Sequence, residues 1–134
     1  MAKRIEKPTE TELTILNILW DHGPCRVREV AEQMTKERDD EVGYTTALKM
    51  LQLMFEKGLV SRDETERSHQ YSARHPRERM QRDVLKHLAD KIFGGATGEL
   101  ALQALSARKA SPTELKKLRS LLDAMETKNP SEKP

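Results

Sequence analysis

Apolar residues recur every third or fourth position along most of the chain, and that spacing predicts helices. Leu13, Leu16, Leu19 and Trp20 mark the first one. It opens at Thr9, which has capping-box spacing to Glu12: the threonine oxygen accepts from an orphan amide while the glutamate reaches back. Gly23-Pro24 ends it. In the next stretch, CRVREVAEQMTKE, residues Val27, Val30, Ala31 and Met34 form one stripe and predict a second helix over about 27–36. A charged turn, KERDDEVG, leads to a third helix over about 44–57, with Ala47, Met50, Leu51 and Met54 as its inward stripe. Gly58 follows as a helix-ending glycine, and Lys57 before it suits the negative end of the helix dipole.

The period then changes. In GLVSRDETERSHQYSAR, Leu59 and Val60 precede a charged tip and Tyr71 and Ala73 follow it, which predicts a β-hairpin. Three helices and a hairpin in this order match the winged form of helix-turn-helix, in which the third helix enters the DNA major groove and the hairpin is the wing. Pro76 marks a boundary, and beyond it Met80, Val84, Leu88 and Ile92 keep helical spacing up to Gly94-Gly95. TGELALQALSARKA predicts a shorter helix with Leu100, Ala104 and Leu105 together. SPTELKKLRSLLDAME begins with Ser111 as cap, Pro112 at the first helical position and Glu114 three residues after the cap. Its Leu115, Leu118, Leu122 and Met125 share a face, and the closing TKNPSEKP reads as a frayed tail.

The expected architecture is mainly α with a small β-hairpin: a winged helix-turn-helix domain over 1–75, then a three-helix dimerisation domain over 76–134. Three short amphipathic helices cannot bury all their apolar faces alone, so pairing with a second copy is expected. Leu88, Ile92, Leu115, Leu118, Leu122 and Met125 are the expected dimer contacts.

The third helix starts with Gly, Tyr and two β-branched threonines, all mediocre helix formers. Two explanations stand side by side. Thr45 and Thr46 cap the helix or sit on a solvated face, or the first turn reads DNA. In the second reading Tyr44, Thr45, Thr46, Lys49 and Gln52 meet base edges or phosphates: threonine through its hydroxyl and methyl, lysine at guanine acceptors, glutamine at adenine. Arg62, Arg67 and His69, helped by Arg74, are the candidate wing contacts, although Asp63, Glu64 and Glu66 dilute that cluster. Leu53 and Phe55 widen the apolar face, and they favour a rival reading in which the helix packs on a protein partner.

Composition narrows the field without selecting the partner. The net charge is +2, but residues 1–79 hold 14 Lys and Arg against 15 Asp and Glu, whereas residues 80–134 hold 10 against 7. DNA binding by the first half therefore demands cations sorted onto one face. The longest apolar run, Leu13 to Trp20, falls far short of the roughly 20 residues of a membrane span. The opening MAKRIEKPTE has charges and no apolar h-region, so no secretory signal is expected and a reducing cytoplasm is the expected home. Cys25 is the single cysteine, which excludes an internal disulfide framework. His22 and Cys25 come near each other around a Gly-Pro turn, either as an ordinary loop or as a redox or metal pair. No nucleophile elbow, phosphate loop or dinucleotide motif appears, so neither catalysis nor a cofactor is expected.

YTTALKMLQLMFEKGLVSRDE…RSHQYSA resembles the penicillinase-repressor family, the BlaI/MecI group that includes a copper-responsive branch. ELTILNILWDHGPCRVREVAEQM is similar to that family's first two helices, and LADKIFGGATGELALQAL to the start of its dimerisation region. The resemblance runs over about residues 8 to 126. It implies a homodimeric repressor that occupies palindromic operators, with Tyr44, Thr45, Thr46 and Lys49 at the bases and wing contacts near Arg67 and His69. In the family's resistance systems a membrane sensor detects β-lactam, and the repressor is then cut within its dimerisation region. The corresponding pair here is Gln103-Ala104, where those repressors have Asn-Phe, and Leu53 stands where family members often carry a basic residue. The tail lacks the cysteine cluster of the copper branch.

Overall fold

The computed structural model describes residues 8–38 and 40–128. The amino-terminal stretch inspected for a signal, Asp39 of the charged turn, and the tail from residue 129 lie outside the described residues. The elements are α1 (Glu10–His22), β1 (Cys25–Arg26), α2 (Val27–Glu37), α3 (Tyr44–Lys57), β2 (Val60–Asp63), β3 (Gln70–Ala73), α4 (Arg77–Ile92), α5 (Thr97–Ala107) and α6 (Pro112–Lys128). The expected mainly helical class with its hairpin is what the chain adopts. One strand was not expected: β1 joins the hairpin, giving an antiparallel sheet of order β1-β3-β2, with Cys25 opposite Tyr71 and Val60 opposite Ala73.

Local chemistry sets the helix limits. Thr9 Oγ1 accepts from the Glu12 amide at 3.2 Å while Glu12 Oε1 accepts from the Thr9 amide at 2.8 Å, closing the capping box. Ser111 and Glu114 make the same reciprocal pair, at 3.1 and 2.9 Å. At the end of α3, Gly58 takes φ +81°, and its N–H and that of Leu59 donate to Phe55 O and Met54 O. That turn needs a left-handed residue, which glycine supplies without strain. Thr35 Oγ1 donates to Ala31 O and accepts from the Val42 amide, both at 2.9 Å, which fixes the chain just ahead of α3.

Two compact units divide the chain, one ending at His87 and the other starting at Leu88. The first unit extends past Pro76, because Met80 joins its core and Val84 packs against it. That core gathers Ile15, Leu16, Ile18 and Leu19 of α1, Val30 and Met34 of α2, Ala47, Leu51 and Met54 of α3, and Tyr71 of β3. Each fully buried Leu or Ile stabilises the fold by about 1.5–3 kcal/mol relative to exposure. Trp20 Nε1 donates to His75 O at 2.9 Å, and the Arg77 guanidinium lies 5.3 Å from the Trp20 ring centre while pairing with Asp21. These contacts fasten the start of α4 to α1.

The second unit is different in kind. Neither α5 nor α6 has a buried residue, and Ile92, Leu102, Leu121, Leu122 and Met125 are each more than half exposed. No described helix is long and apolar enough to cross a membrane.

Candidate nucleic-acid interface

Helix α3 presents two faces. Ala47, Leu51 and Met54 are fully enclosed, and Met50 is half-buried beside them. Tyr44, Thr45, Thr46, Lys49 and Gln52 are all exposed, so the predicted reading residues share the open side of the helix. The threonines do not cap it. Gly43 is the N-cap residue, and no side chain accepts from the first-turn amides.

The same turn carries no acidic residue, whereas each of the other five described helices has one there. Unpaired amides at a helix start attract anions. An acid at this position would repel a phosphate, and none is present. Leu53, 43% exposed, stands on the outer side of the helix with no role in the core.

The wing residues do not behave alike. Arg62 is half-buried: its Nη2 is 2.6 Å from Glu64 Oε1, its guanidinium lies 4.1 Å from the Phe55 ring centre, and its Nε is buried without a partner. This arginine is committed to the protein, and its contact with Phe55 accounts for an aromatic that sequence alone left among the partner-binding features. Arg26, not singled out from sequence, pairs with Glu66 near the wing tip. Asp63 Oδ1 accepts from the Thr65 amide at 3.0 Å. Arg67 is exposed, and none of the ion pairs among the described residues involves it. His69 is half-buried. Arg74 does not join the wing tip: its Nη1 lies 3.1 Å from where a Cβ would sit on Gly58, so it lies against the far end of α3.

A further contact links α1 to α3. Lys57 Nζ donates to Glu12 Oε2 at 2.7 Å, although the two residues are 45 apart in sequence. Burial pushes the Glu12 carboxyl up, but the hydrogen bonds from Lys57 and from the Thr9 backbone, with the lysine's charge, outweigh it and hold the group below its ordinary value. Helical spacing marked Glu12 as a cap and gave no signal of this second role.

Cys25 is buried, donates its thiol proton to Gly23 O at 3.3 Å, and is held protonated by burial and by the Glu29 charge. A protonated, enclosed thiol is unreactive, and His22 is exposed, so the pair has the character of an ordinary loop. Among the described residues no cluster of His, Cys, Asp and Glu is arranged to hold a metal. In the second unit, Ile92, Leu115, Leu122 and Met125 are exposed while Leu88 and Leu118 are half-buried. Gln103 and Ala104 lie exposed within α5, in helical backbone that must open before a protease could hold the bond extended.

Comparison with known proteins supplies independent observations. The family model described as Penicillinase repressor matches residues 8–124. A penicillinase repressor of Staphylococcus aureus is 21% identical over 128 residues, which span 96% of this chain and 100% of that protein. A transcriptional regulator BlaI of Mycobacterium tuberculosis is 32% identical over 81 residues, 60% of this chain and 56% of that protein. A solved structure of a transcriptional regulator from Thermotoga maritima aligns with a TM-score of 0.49 at 14% identity, covering 94% of this chain and 80% of that one.

Proposed function

The chain belongs to the penicillinase repressor family, whose members are transcriptional regulators and not enzymes, and on that premise we propose that it is a cytoplasmic, homodimeric repressor reading palindromic operators. The observation that carries this is the open face of α3. Tyr44, Thr45, Thr46, Lys49 and Gln52 are exposed together, ahead of a helix start with free amides and no acid, while the opposite stripe is locked into the core. Such a surface meets base edges through Thr, Lys and Gln, and phosphate through the helix start. The wing adds Arg67 as its available cation and His69 as a smaller contact.

Dimerisation through the second unit is supported by α5 and α6, which bury none of their own side chains. A second copy covering Ile92, Leu115, Leu122 and Met125 would remove that apolar surface from water. Two α3 helices would then enter successive major grooves about one helical turn apart, and repression would be steric, by occupation of the promoter. Relief by a sensor protease at Gln103-Ala104 completes the proposal, since a helix without buried side chains opens at little cost.

Random-sequence selection followed by fluorescence polarisation tests the reading. Enrichment of an inverted repeat is the expected result. Absence of any enriched sequence refutes it and favours the protein-partner module that the exposed Leu53 supports.

A further inference from the structure

Apolar attraction has no direction of its own, so a polar tie adds a directional constraint to the interdigitated packing that holds α3 in place. The helix packs on α2 and β2, whereas α1 packs on α2 and β3. Glu12 and Lys57 form a direct polar tie between α1 and α3. Glu12 is 2% exposed and is the one charged residue in the buried set of the described residues. Both of its oxygens are used, Oε1 by the Thr9 amide and Oε2 by the Lys57 ammonium. The capping box thus holds the carboxylate at a fixed point on α1 and aims it at the last residue of α3.

Neither helix end needs this arrangement for itself. A capping box requires no lysine, and the glycine that ends α3 requires no carboxylate. Net stability is also a weak explanation, because desolvating two charges cancels much of their attraction. The better-attested use of such a pair is to select one arrangement among several that pack equally well. For a reading helix the distinction matters. At its outer radius of about 5–6 Å, a rotation of about 10° moves a side-chain tip by about 1 Å, enough to spoil a hydrogen bond.

We propose that Glu12 is a positioning residue for the reading helix, its pair with Lys57 setting the rotation at which Thr45, Thr46 and Lys49 meet the bases. This rests on the DNA-reading function proposed above.

The full chain is measured as wild type, Glu12→Gln, Lys57→Met and Lys57→Arg. Each binds the selected duplex and a scrambled duplex of equal length at one salt concentration, and each is melted by denaturant. Glu12→Gln keeps an oxygen for the Thr9 amide and loses the charge. Lys57→Arg keeps the cation, and Lys57→Met keeps only the stem. A loss of folded protein lowers both affinities by the same factor, so the ratio of selected to scrambled affinity separates positioning from stability. The ratio should fall about tenfold in Glu12→Gln and Lys57→Met, the scale of one lost base contact, and survive in Lys57→Arg. If Glu12→Gln does not fold, Lys57→Met carries the test, because its side chain is 34% exposed in the wild type. Equal losses on both duplexes, or an unchanged ratio, overturn the positioning role alone. A wild type without sequence preference overturns the reading function, and this inference with it.

Discussion

Leu51 and Lys49 stand two residues apart on α3 and face opposite ways, so replacing each with alanine should separate folding from recognition. Leu51 is 0% exposed and lies among the core residues of α1, α2 and β3. Leu51→Ala trims a buried isobutyl side chain to a methyl, removing three carbons worth about 2.4 kcal/mol at about 0.8 kcal/mol per carbon before any cavity is counted. With the cavity the expected loss is about 3 kcal/mol, inside the range of about 2–5 found for such changes. For a unit of this size each kcal/mol shifts Tm by about 4–8 °C, so Tm should drop by more than about 10 °C. Lys49 is exposed and makes no core contact, and Lys49→Ala should stay within about 0.5 kcal/mol of wild type. On DNA the order reverses. Lys49→Ala should cost about 1–3 kcal/mol on the selected sequence, whereas Leu51→Ala, measured where it remains folded, should keep its sequence preference. Thermal melts and polarisation on both duplexes check the pair. Lys49→Ala melting as early as Leu51→Ala, or Leu51→Ala changing base preference at unchanged stability, would refute the two-faced account of the helix.

Thr46→Ala should alter preference at one base position with a loss of about 1–3 kcal/mol there, while Arg67→Ala should weaken all sequences alike and flatten the salt dependence by about one unit of slope; identical profiles for the two variants would contradict the division between helix and wing. Glu64→Gln releases Arg62 from its 2.6 Å pair, so scrambled DNA should bind more tightly and with a steeper salt slope, and unchanged binding would show that Phe55 and Tyr71 hold the arginine without it. Leu118→Asp and Leu122→Asp should each sediment as monomer and bind the operator far more weakly; two normal dimers would remove α6 from the interface. Because the Glu12 carboxyl is held below its ordinary value of 4.5, its stabilisation is present above that value and is lost as pH falls through the lower folded one. The Tm gap between wild type and Glu12→Gln should therefore narrow on acidification below about 4.5, and a gap constant down to about pH 3 would contradict the pairing.

Sequence pattern was most informative where structure is local. The capping box at Thr9, the glycine end of α3 and the inward stripe of Ala47, Leu51 and Met54 each depend on residues a few positions apart and stand as the spacing predicts, although Met50 of that stripe is only half-buried. Strand β1 had no such signal. Two residues, Cys25 and Arg26, carry no period, and they become a strand only because β3 lies alongside. Long-range electrostatics were equally hidden. Glu12 with Lys57, and Arg26 with Glu66, are joined by the fold across 45 and 40 residues. Wing arginines counted from sequence as equal candidates thus divided into a committed Arg62 and an available Arg67, because charge count says nothing of which carboxylate lies nearest. For the open face of α3 the pattern pointed to the residues and left two explanations open. The structure removed capping, since Gly43 occupies the cap and the threonines do not, and it leaves their exposed face to solvent or to DNA.

A reading unit with balanced charge has a physical advantage in this arrangement. Non-specific binding grows with the number of cations free to displace counterions from phosphate. Here Glu64 and Glu66 occupy Arg62 and Arg26, so the wing holds internal substitutes for phosphate. On the proposed reading, docking on DNA would exchange one anion for another, and the net gain from those arginines would be small on any sequence. In the proposed reading, selectivity comes from base-facing groups without an internal substitute, Thr45, Thr46 and Lys49, while the bare amides of α3 position the helix on phosphate. Their effect depends on orientation more than on charge. That is why a buried carboxylate at the start of α1, touching no DNA, matters in this scheme as much as an arginine on the wing.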